Sequence, residues 1–320
     1  MNHDGGTKSF YAFGLRYNQD PGTCCLGNEI KVVDKMTELE EHLKDVEPGL
    51  RSIILEIAET SKIIRTGILG RKGKASTRNV YDEEQAEMDK WADRILIENL
   101  KKVDAVASMS SEEQSDVIQT GNSGDHSVMM DPLDGSSLID INLTVGTIIG
   151  IHKGNTPFRK GKELAAALYM LYGPLTTLTY TVGNGVHSFV LGKTEEYELD
   201  GENLKIPDGK IYSPGGIRKD WLPRHRKFIE KLESEGYKLR FSGCSAADAH
   251  QILHKGGIFC YPALKEKPEG KLRLLFEAVP MGYIIQQAGG RISDGSSDIL
   301  EKLPDRVDVR VPLYIGGKRE

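Results

Sequence analysis

The chain has 320 residues, of which 38% are hydrophobic and 28% charged, and its formal net charge is −5. It is long enough for two domains or one large one, and its composition is that of an ordinary globular protein. The acidic balance argues against a nucleic-acid or anionic-membrane partner, and no apolar run approaches the ~20 residues of a membrane-spanning helix. Four cysteines without metal-ligand spacing or a disulfide pattern predict a reducing, cytoplasmic location (Cys24, Cys25, Cys244 and Cys260).

The first third of the chain predicts an extension followed by helices. Residues 1–35 have no apolar core typical of a signal peptide and predict a flexible extension. A charged segment at 31–44 predicts a helix, and the apolar recurrence from 50 to 64 predicts a long amphipathic helix. Residues 67–79 form a basic, glycine-rich loop, which could equally be solvated surface or lie near a site. A second amphipathic helix is predicted at 84–100.

A predicted strand at 103–109 leads to Ser110-Ser111-Glu112-Glu113. Serine followed by paired glutamates is also the pattern of a helix N-cap, so a cap and an acidic site both remain possible. After a polar loop, a strand at 128–130 continues directly into Asp131-Pro132-Leu133-Asp134-Gly135-Ser136-Ser137.

That seven-residue stretch can bind both cations and phosphate. Its two carboxylates, Asp131 and Asp134, offer the oxygen ligands that hard cations take. Gly135 lets the backbone approach a phosphate, whose oxygens suit successive N–H groups and serine hydroxyls. A bare Asp-x-x-Asp-Gly is more often a solvated turn. The full stretch, set between apolar 128–130 and a Val/Ile-rich run, favours a site instead.

The rest of the chain mixes strands and helices, which predicts a layered α/β architecture. The acidic segment 194–207 contains a predicted boundary between an N-terminal domain (36–206) and a C-terminal domain (207–320). Before the boundary, strands are predicted at 145–152, 176–182 and 187–191, and a helix at 163–171. After it, strands are predicted at 210–212, 238–241, 258–261, 291–293 and 309–315, and helices at 219–235, 246–254 and 274–288.

Acidic positions far apart in the sequence stand beside apolar strand or helix residues: Glu112-Glu113, Asp131 with Asp134, and Glu277. A buried carboxylate stays charged only beside a cation or hydrogen-bond donors. Several of them around one point suit two or three divalent ions, the arrangement of metal-assisted phosphoryl transfer to water. Lys271 and Arg273 would share one face of an extended segment and could hold phosphate, although an ordinary basic strand edge has the same pattern.

From about Leu39 to Gly316 the chain resembles the class I sugar-bisphosphate phosphatases, which comprise fructose-1,6-bisphosphatase and sedoheptulose-1,7-bisphosphatase. The resemblance rests on SSEE at 110–113, DPLDGSS at 131–137, VGTIIGI at 145–151, GGIFCYP at 256–262 and GKLRLLFEAVPMGYIIQQAGG at 270–290. It implies an α+β sugar phosphatase fold with five alternating layers, helix-sheet-helix-sheet-helix. It also implies two or three Mg²⁺ per site, replaceable by Mn²⁺, a small-molecule sugar bisphosphate as substrate, and a homodimer or homotetramer.

The resemblance assigns a role to each matching residue. The implied metal ligands are Glu112, Asp131, Asp134, Glu277 and the Leu133 carbonyl. Asp89 and Glu113 would orient and deprotonate the attacking water. The implied substrate contacts are Gly135, Ser136, Ser137 and Arg273 for the 1-phosphate, Lys271 for the sugar, and Arg240 and Tyr261 for the distal phosphate, with Arg240 reaching across a subunit interface. Phe241 is a further implied substrate-binding residue.

The choice of sugar depends on a few segments. Residues 212–218 (YSPGGIR) and 239–243 (LRFSG) resemble the sedoheptulose enzyme, whereas 246–250 (AADAH) and 260–262 (CYP) resemble the fructose enzyme. The balance predicts removal of the 1-phosphate from sedoheptulose 1,7-bisphosphate, with fructose 1,6-bisphosphate as the alternative substrate. A non-catalytic sugar-phosphate sensor ranks lower because the residues that would activate water are all present. An inositol phosphatase also ranks lower, because FEAVPMG at 276–282 replaces that family's W-D-x-A-x-G.

Two forms of regulation known in the resembling family are predicted to be absent. Animal fructose bisphosphatases bind AMP through a G-T-G-E-L-T turn and a Lys-Tyr pair. This chain has Glu47-Pro48-Gly49-Leu50 and Asp125-His126 at the matching places. The plant plastid enzyme has redox-active cysteines where this chain has 76–81, a segment without cysteine. We therefore expect neither AMP inhibition nor thioredoxin control by that route.

Overall fold

The computed structural model describes residues 38–70 and 81–319, with only the backbone described for 81–86. The predicted extension at 1–35 and residues 71–79 of the predicted basic loop lie outside the described residues. The described residues belong to one compact unit, Met36–Glu320. The predicted division into domains at 206 and 207 stays a prediction. None of the helices in the described part of the chain combines the length and apolar character that a membrane crossing needs.

An eight-stranded sheet forms the centre of the N-terminal half. Its strands are β1 (Val106–Ser111), β2 (Ile118–Gln119), β3 (His126–Asp134), β4 (Val145–Lys153), β5 (Leu164–Tyr172), β6 (Thr176–Thr181), β7 (His187–Leu191) and β8 (Tyr197–Gly201). They lie in the order β2-β1-β3-β4-β5-β6-β7-β8. The β1–β3 pair is parallel and the other neighbouring pairs are antiparallel. The strands near the centre, β3, β4 and β5, are buried along almost their whole length because both faces of the sheet are covered.

The helices α1 (Leu39–His42), α2 (Pro48–Gly70) and α3 (Tyr81–Leu100) precede this sheet in the chain. The apolar stripes of α2 and α3 pack on one face of the sheet, as their helical spacing predicts. Helix α2 continues through Gly67, where the sequence predicted a loop. A side chain at Gly67 would meet the Trp91 ring at 2.1 Å, so the glycine allows α2 and α3 to approach each other closely.

The helix predicted at 163–171 is wrong, since Leu164–Tyr172 is the central strand β5, paired with β4 and β6. Its sequence is apolar on both faces because helices cover both sides of the sheet. A continuous apolar run of this kind has no period of two, so its spacing does not separate a buried strand from a buried helix. The acidic segment 194–207, for which no strand was predicted, contains the edge strand β8.

The C-terminal half contains a smaller sheet of five strands in the order β10-β9-β11-β15-β13, and a two-stranded sheet of β12 and β14. These strands are β9 (Ile211–Pro214), β10 (Lys238–Leu239), β11 (Ile258–Tyr261), β12 (Leu272–Arg273), β13 (Arg291–Ser293), β14 (Arg310–Val311) and β15 (Leu313–Gly316). The helices of this half are α4 (Pro223–Ser234), α5 (Ser245–Lys255) and α6 (Val279–Gln287).

The three helices of this half complete the layers. Helices α5 and α6 lie between the two sheets and contact strands of both. Their buried side chains form one continuous core with residues of the large and small sheets. The amphipathic helix α4 covers the outer face of the small sheet through Ile229 and Leu232. The order is therefore helix, sheet, helix, sheet, helix, and the predicted five-layer fold is confirmed.

Candidate active site

Three buried carboxylates from two distant segments meet at one point. Asp131 and Asp134 lie at the end of β3, and Glu277 lies in a π-helical turn, Leu274–Ala278, that leads into α6. One carboxylate oxygen of each residue lies within 4.8 Å of the others. The stretch that the sequence predicted as a site therefore continues a strand, rather than forming a solvated turn, and its aspartates point to the same place as Glu277.

The N-terminus of α5 fixes Asp134. The Ala246 amide donates to Asp134 Oδ2 at 2.6 Å, and the Cys244 thiol donates to the same oxygen at 3.1 Å. Ser245 Oγ lies 2.9 Å from Asp134 Oδ1 and 2.9 Å from Glu277 Oε1. An α-helix N-terminus favours a carboxylate because its first amides have no intrahelical acceptor. Sequence reasoning did not identify Cys244 or Ser245; their position just before a predicted helix was the available signal.

The burial and mutual repulsion of these carboxylates fit a divalent cation. Burial, followed by the charge of Glu112, raises the pKa of Asp131 well above its usual range. Burial and the charges of Glu112 and Asp134 raise the pKa of Glu277 to about 8. A positive charge between the two carboxyls would lower both pKa values and favour their ionised forms. Oxygen-only ligands of this kind suit a hard ion.

Glu112 and Glu113 follow the last residue of β1, which places them beside this cluster. The parallel pairing of β1 with β3 continues to Ser111 and Met130, and the Glu112 amide donates to the Met130 carbonyl at 3.1 Å. Ser110 and Ser111 lie in the strand, so the segment is not a helix N-cap. Arg273 Nε donates to Glu112 Oε1 at 3.3 Å.

Asp89 reaches the same cluster from α3. Its Oδ2 accepts a hydrogen bond from Ser136 Oγ at 3.1 Å. Burial raises the pKa of Asp89 to about 6, and the Glu112 charge adds to the rise. Burial and the charges of Asp89 and Glu112 also raise the pKa of Glu113. Half-buried Asp89 and the more exposed Glu113, both with raised pKa, therefore stand beside the buried cluster.

Gly135 turns the chain away from β3 and brings the following serines to the cluster. It has a left-handed backbone with φ of 78°, and a side chain there would meet Cys244 Cβ at 2.9 Å. Both constraints require glycine. The short 3₁₀ helix Ser136–Leu138 begins immediately afterwards. The Ser136 and Ser137 side chains thereby lie at the rim of the carboxylate cluster.

A cavity of about 270 Å³ joins these residues. All but two of the sequence-predicted site residues line it: Asp89, Glu112, Glu113, Asp131, Leu133, Asp134, Gly135, Ser136, Ser137, Phe241, Tyr261, Lys271 and Glu277. The two that do not are Arg273, which faces a neighbouring cavity, and Arg240, which is exposed. Within the described chain, Arg240 is thus not brought to the site.

One part of the cavity lining, formed by Lys271 and Tyr261, is cationic and aromatic. Lys271 Nζ lies 5.3 Å from the centroid of the Tyr261 ring, a cation–π contact that holds both side chains at the cavity. Arg310 lines the cavity as well, and its guanidinium donates to the Lys271 carbonyl. The pairing of β12 with β14 brings Arg310 here. Sequence reasoning did not find it, because the pairing of two-residue strands leaves no pattern in the sequence.

The five-layer fold and the acidic cavity define a metal-dependent phosphatase. Residues 22–199 match the family model of the fructose-1-6-bisphosphatase N-terminal domain, and residues 206–320 match that of the C-terminal domain. The chain belongs to the fructose-1,6-bisphosphatase family. It is therefore a phosphoric monoester hydrolase that acts on a sugar bisphosphate, and the sensor interpretation is not supported.

Individual relatives agree with this assignment. The class 1 fructose-1,6-bisphosphatase of Geobacter sulfurreducens is 47% identical over 286 residues, which are 87% of this chain and 91% of that protein. The class 1 enzyme of Methanocorpusculum labreanum is 45% identical over 289 residues, 90% of each chain. The crystal structure of Leishmania major fructose-1,6-bisphosphatase in its holo form superposes with a TM-score of 0.82 at 31% identity, covering 89% of this chain and 97% of that one.

Proposed function

We propose that the protein hydrolyses the 1-phosphate of fructose 1,6-bisphosphate with Mg²⁺, giving fructose 6-phosphate and phosphate. The observation that carries the proposal is the buried cluster of Asp131, Asp134 and Glu277 inside a fold whose relatives are named fructose-1,6-bisphosphatases. The sequence favoured sedoheptulose 1,7-bisphosphate, but the comparisons support the alternative substrate better.

Asp131, Asp134, Glu277 and Glu112 would hold the metal ions, with the Leu133 carbonyl as a further ligand. When bound, Mg²⁺ neutralises the developing charge on phosphate oxygens and lowers the pKa of water. The chain prepares for this chemistry by holding the carboxylates in place. Donors from the start of α5 orient Asp134, and the Arg273 amide donates to Glu277 Oε2 at 2.7 Å. The ligands therefore keep their positions without rearranging at each turnover.

Asp89 and Glu113 would orient the attacking water and accept its proton. A general base works best when its pKa lies near the working pH. The pKa of Asp89, raised to about 6, meets that condition better than an exposed aspartate. The Ser136 hydroxyl that donates to Asp89 belongs to the phosphate-binding segment, so substrate and base would be positioned by the same turn.

Gly135, Ser136 and Ser137 would bind the 1-phosphate, and Lys271 and Arg310 would place cations in the same cavity. A net charge of −5 makes such local cations necessary for an anionic substrate. Arg310 is an addition to the set that the sequence predicted. Its planar guanidinium carries several N–H donors in a fixed arrangement, which suits hydrogen bonds to a phosphate or a sugar hydroxyl.

Arg240 and Phe241 support a dimer as the working form. Arg240 is exposed and Phe241 is 47% exposed, while Leu239 beside them is 61% exposed. Exposed apolar side chains next to a cavity mark an interaction surface. In a symmetric dimer built on this segment, Arg240 of each protomer could reach the distal phosphate bound by the other. We propose a homodimer or a dimer-based homotetramer on this ground.

Sedoheptulose 1,7-bisphosphate remains the second candidate substrate because residues 239–243 resemble that enzyme and Phe241 lines the cavity. The other supporting segment, 212–218, contributes no residue to the described cavity lining. Tyr212 instead donates its hydroxyl to Glu233 at 2.7 Å. Only one of the two segments that resemble the sedoheptulose enzyme therefore contributes to the cavity lining.

The two substrates can be compared directly in one assay of phosphate release with Mg²⁺. We expect a higher kcat/KM for fructose 1,6-bisphosphate. A higher value for sedoheptulose 1,7-bisphosphate would overturn the choice of sugar while leaving the phosphatase assignment intact. Phe241→Tyr, which adds the hydroxyl of the heptulose pattern, should shift the ratio toward the heptulose. Phe228→Tyr, in α4 and outside the described cavity lining, serves as the control.

A further inference from the structure

A second group of potential metal ligands lies outside the carboxylate cavity. His42, His187 and Glu202 each direct one ligand atom to a common point, and these atoms lie within 4.8 Å of one another. His42 is the last residue of α1, His187 begins β7, and Glu202 follows β8. Three segments that are far apart in sequence thus converge at the edge of the large sheet, and none of the three residues lines the active-site cavity.

The distances within this group are close to those between the ligand atoms of a bound metal ion. His42 Nε2 lies 3.7 Å from Glu202 Oε1, and the His42 and His187 ring centroids are 4.6 Å apart. Tetrahedral Zn²⁺ with bonds of about 2.0–2.1 Å places its ligand atoms roughly 3.4 Å apart. The His42–Glu202 distance nearly meets this value. The Glu202 side chain is 58% exposed, so it can rotate to close the remaining gap.

A hydrogen bond already orients His42 for this role. Its Nδ1 lies 2.5 Å from the Tyr180 hydroxyl, and a proton on Nδ1 donated to that hydroxyl leaves the Nε2 lone pair facing Glu202. Metal-binding histidines are commonly oriented in this way through the other ring nitrogen. At His187 the Asn203 amide donates to Nδ1 across 3.4 Å, a long hydrogen bond.

We propose that His42, His187 and Glu202 bind one divalent transition-metal ion of the Zn²⁺ type. Two imidazoles and one carboxylate suit Zn²⁺ rather than Mg²⁺, which prefers oxygen ligands. Three protein ligands leave the fourth tetrahedral position to water. The ion would fasten α1 to β7 and to the segment after β8, and it would stabilise the folded chain in proportion to its occupancy.

The alternative is an ordinary ion pair between a protonated His42 and Glu202. Such a pair at a half-exposed position contributes little to stability and binds no metal. Metal titration therefore separates the two interpretations, because the ion pair predicts no further metal equivalent.

The test uses the full-length protein, stripped with chelator and then kept in saturating Mg²⁺, with Co²⁺ as the probe. We expect one further equivalent of Co²⁺ with the intense visible absorption of tetrahedral coordination, displaced by Zn²⁺. His42→Gln and Glu202→Gln should each lower the affinity for this Co²⁺ at least tenfold, with unchanged circular dichroism. Tyr180→Phe should lower the same affinity about tenfold. Glu196→Gln is the matched control, since Glu196 is 56% exposed and Glu202 58% exposed on neighbouring segments.

Asp134→Asn separates this ion from any in the active-site cavity. The proposal predicts that the Co²⁺ equivalent persists in Asp134→Asn and is weakened at least tenfold in His42→Gln. The opposite pattern, or equal binding by wild type, His42→Gln and Glu202→Gln, would overturn it. Absence of the tetrahedral absorption in the wild-type protein would overturn it as well. Neither readout depends on catalytic activity, so a failure of the proposed substrate would leave the result interpretable.

Discussion

Arg273 Nε lies 3.3 Å from Glu112 Oε1, so a cation expected to bind phosphate is paired with a carboxylate expected to bind metal. The Arg273 backbone amide also donates to Glu277 at 2.7 Å. The Arg273 side chain is 21% exposed and faces the neighbouring cavity. In the described structure it therefore acts first on the acidic cluster, as a positive charge that offsets repulsion between Glu112 and the buried carboxylates.

This arrangement predicts the effect of Arg273→Ala. Loss of a charge-assisted hydrogen bond at a partly buried site costs about 1.5–3 kcal/mol, so kcat/KM should fall roughly 10- to 100-fold. The Mg²⁺ concentration needed for half-maximal rate should change too, because Glu112 loses its partner. Arg306→Ala is the control, since Arg306 lies in the same neighbouring cavity but is 69% exposed and pairs with Asp308. Equal effects of the two variants would contradict a specific role for Arg273.

Asp134→Asn should abolish turnover while leaving the fold intact. The substitution removes one charge from the proposed metal ligands, and we expect kcat to fall at least ~1,000-fold. In chelator, the variant loses a repelling charge but also one acceptor oxygen for the donors at the start of α5, so its melting temperature should stay close to that of the wild type. Phosphate release and thermal melting in chelator measure the two effects. Near-normal turnover would refute the proposed metal site.

The raised pKa values of the acidic cluster predict how stability depends on pH without metal. Glu277 has a pKa of about 8 in the folded protein, against 4.5 as its ordinary value, and burial is the first cause. The folded state therefore binds this proton more tightly than the unfolded state. Its contribution to stability is complete below about pH 4.5 and is lost as the pH rises through about 8.

In chelator, Tm should therefore fall between pH 5 and pH 8 by at least ~3 °C. Mg²⁺ should restore Tm at pH 8 and have less effect at pH 5, where Glu277 carries a proton. Glu277→Gln should weaken both the pH dependence and the effect of Mg²⁺, and Glu196→Gln, an exposed glutamate, should leave both unchanged. A Tm that rises with pH in chelator would contradict the proposed origin of these pKa values.

AMP should not inhibit the enzyme. The Glu47 carboxylate accepts hydrogen bonds from the Gly49 amide at 2.9 Å and the Leu50 amide at 2.7 Å. These bonds lower the pKa of Glu47, which is therefore charged at neutral pH. A nucleotide phosphate at the start of α2 would meet that charge and would find two amides already bound. Rates measured with and without millimolar AMP should agree, and inhibition at subsaturating Mg²⁺ would contradict the prediction.

The sequence predicted most of the candidate site because short stretches carry it. Asp131 to Ser137 come from one stretch, and Glu112-Glu113 follow one strand. Residues of this kind lie close together in space because they are neighbours in the sequence. The residues that support them were harder to find. Ser245 and Arg310 reach the cavity only through the packing of α5 and the β12–β14 pairing, which the local sequence does not encode.

In the fold, too, elements with a local sequence pattern were predicted, and elements that depend on distant packing were not. Helices α2 and α3 were predictable because their apolar residues recur at helical spacing on one face. Strand β5 was not, because both of its faces are buried between layers that come from distant parts of the chain. Arg240 illustrates the limit for function, since a role across a subunit interface depends on a second copy of the chain.

The most direct test of the central claim is to follow fructose 1,6-bisphosphate by ³¹P NMR during incubation with the enzyme. With Mg²⁺, the 1-phosphate resonance should disappear, inorganic phosphate should appear in equal amount, and the 6-phosphate resonance should remain. With chelator, or with Asp134→Asn, the spectrum should stay unchanged. Loss of the 6-phosphate first, or hydrolysis that continues at the same rate in chelator, would contradict metal-dependent removal of the 1-phosphate at this cavity.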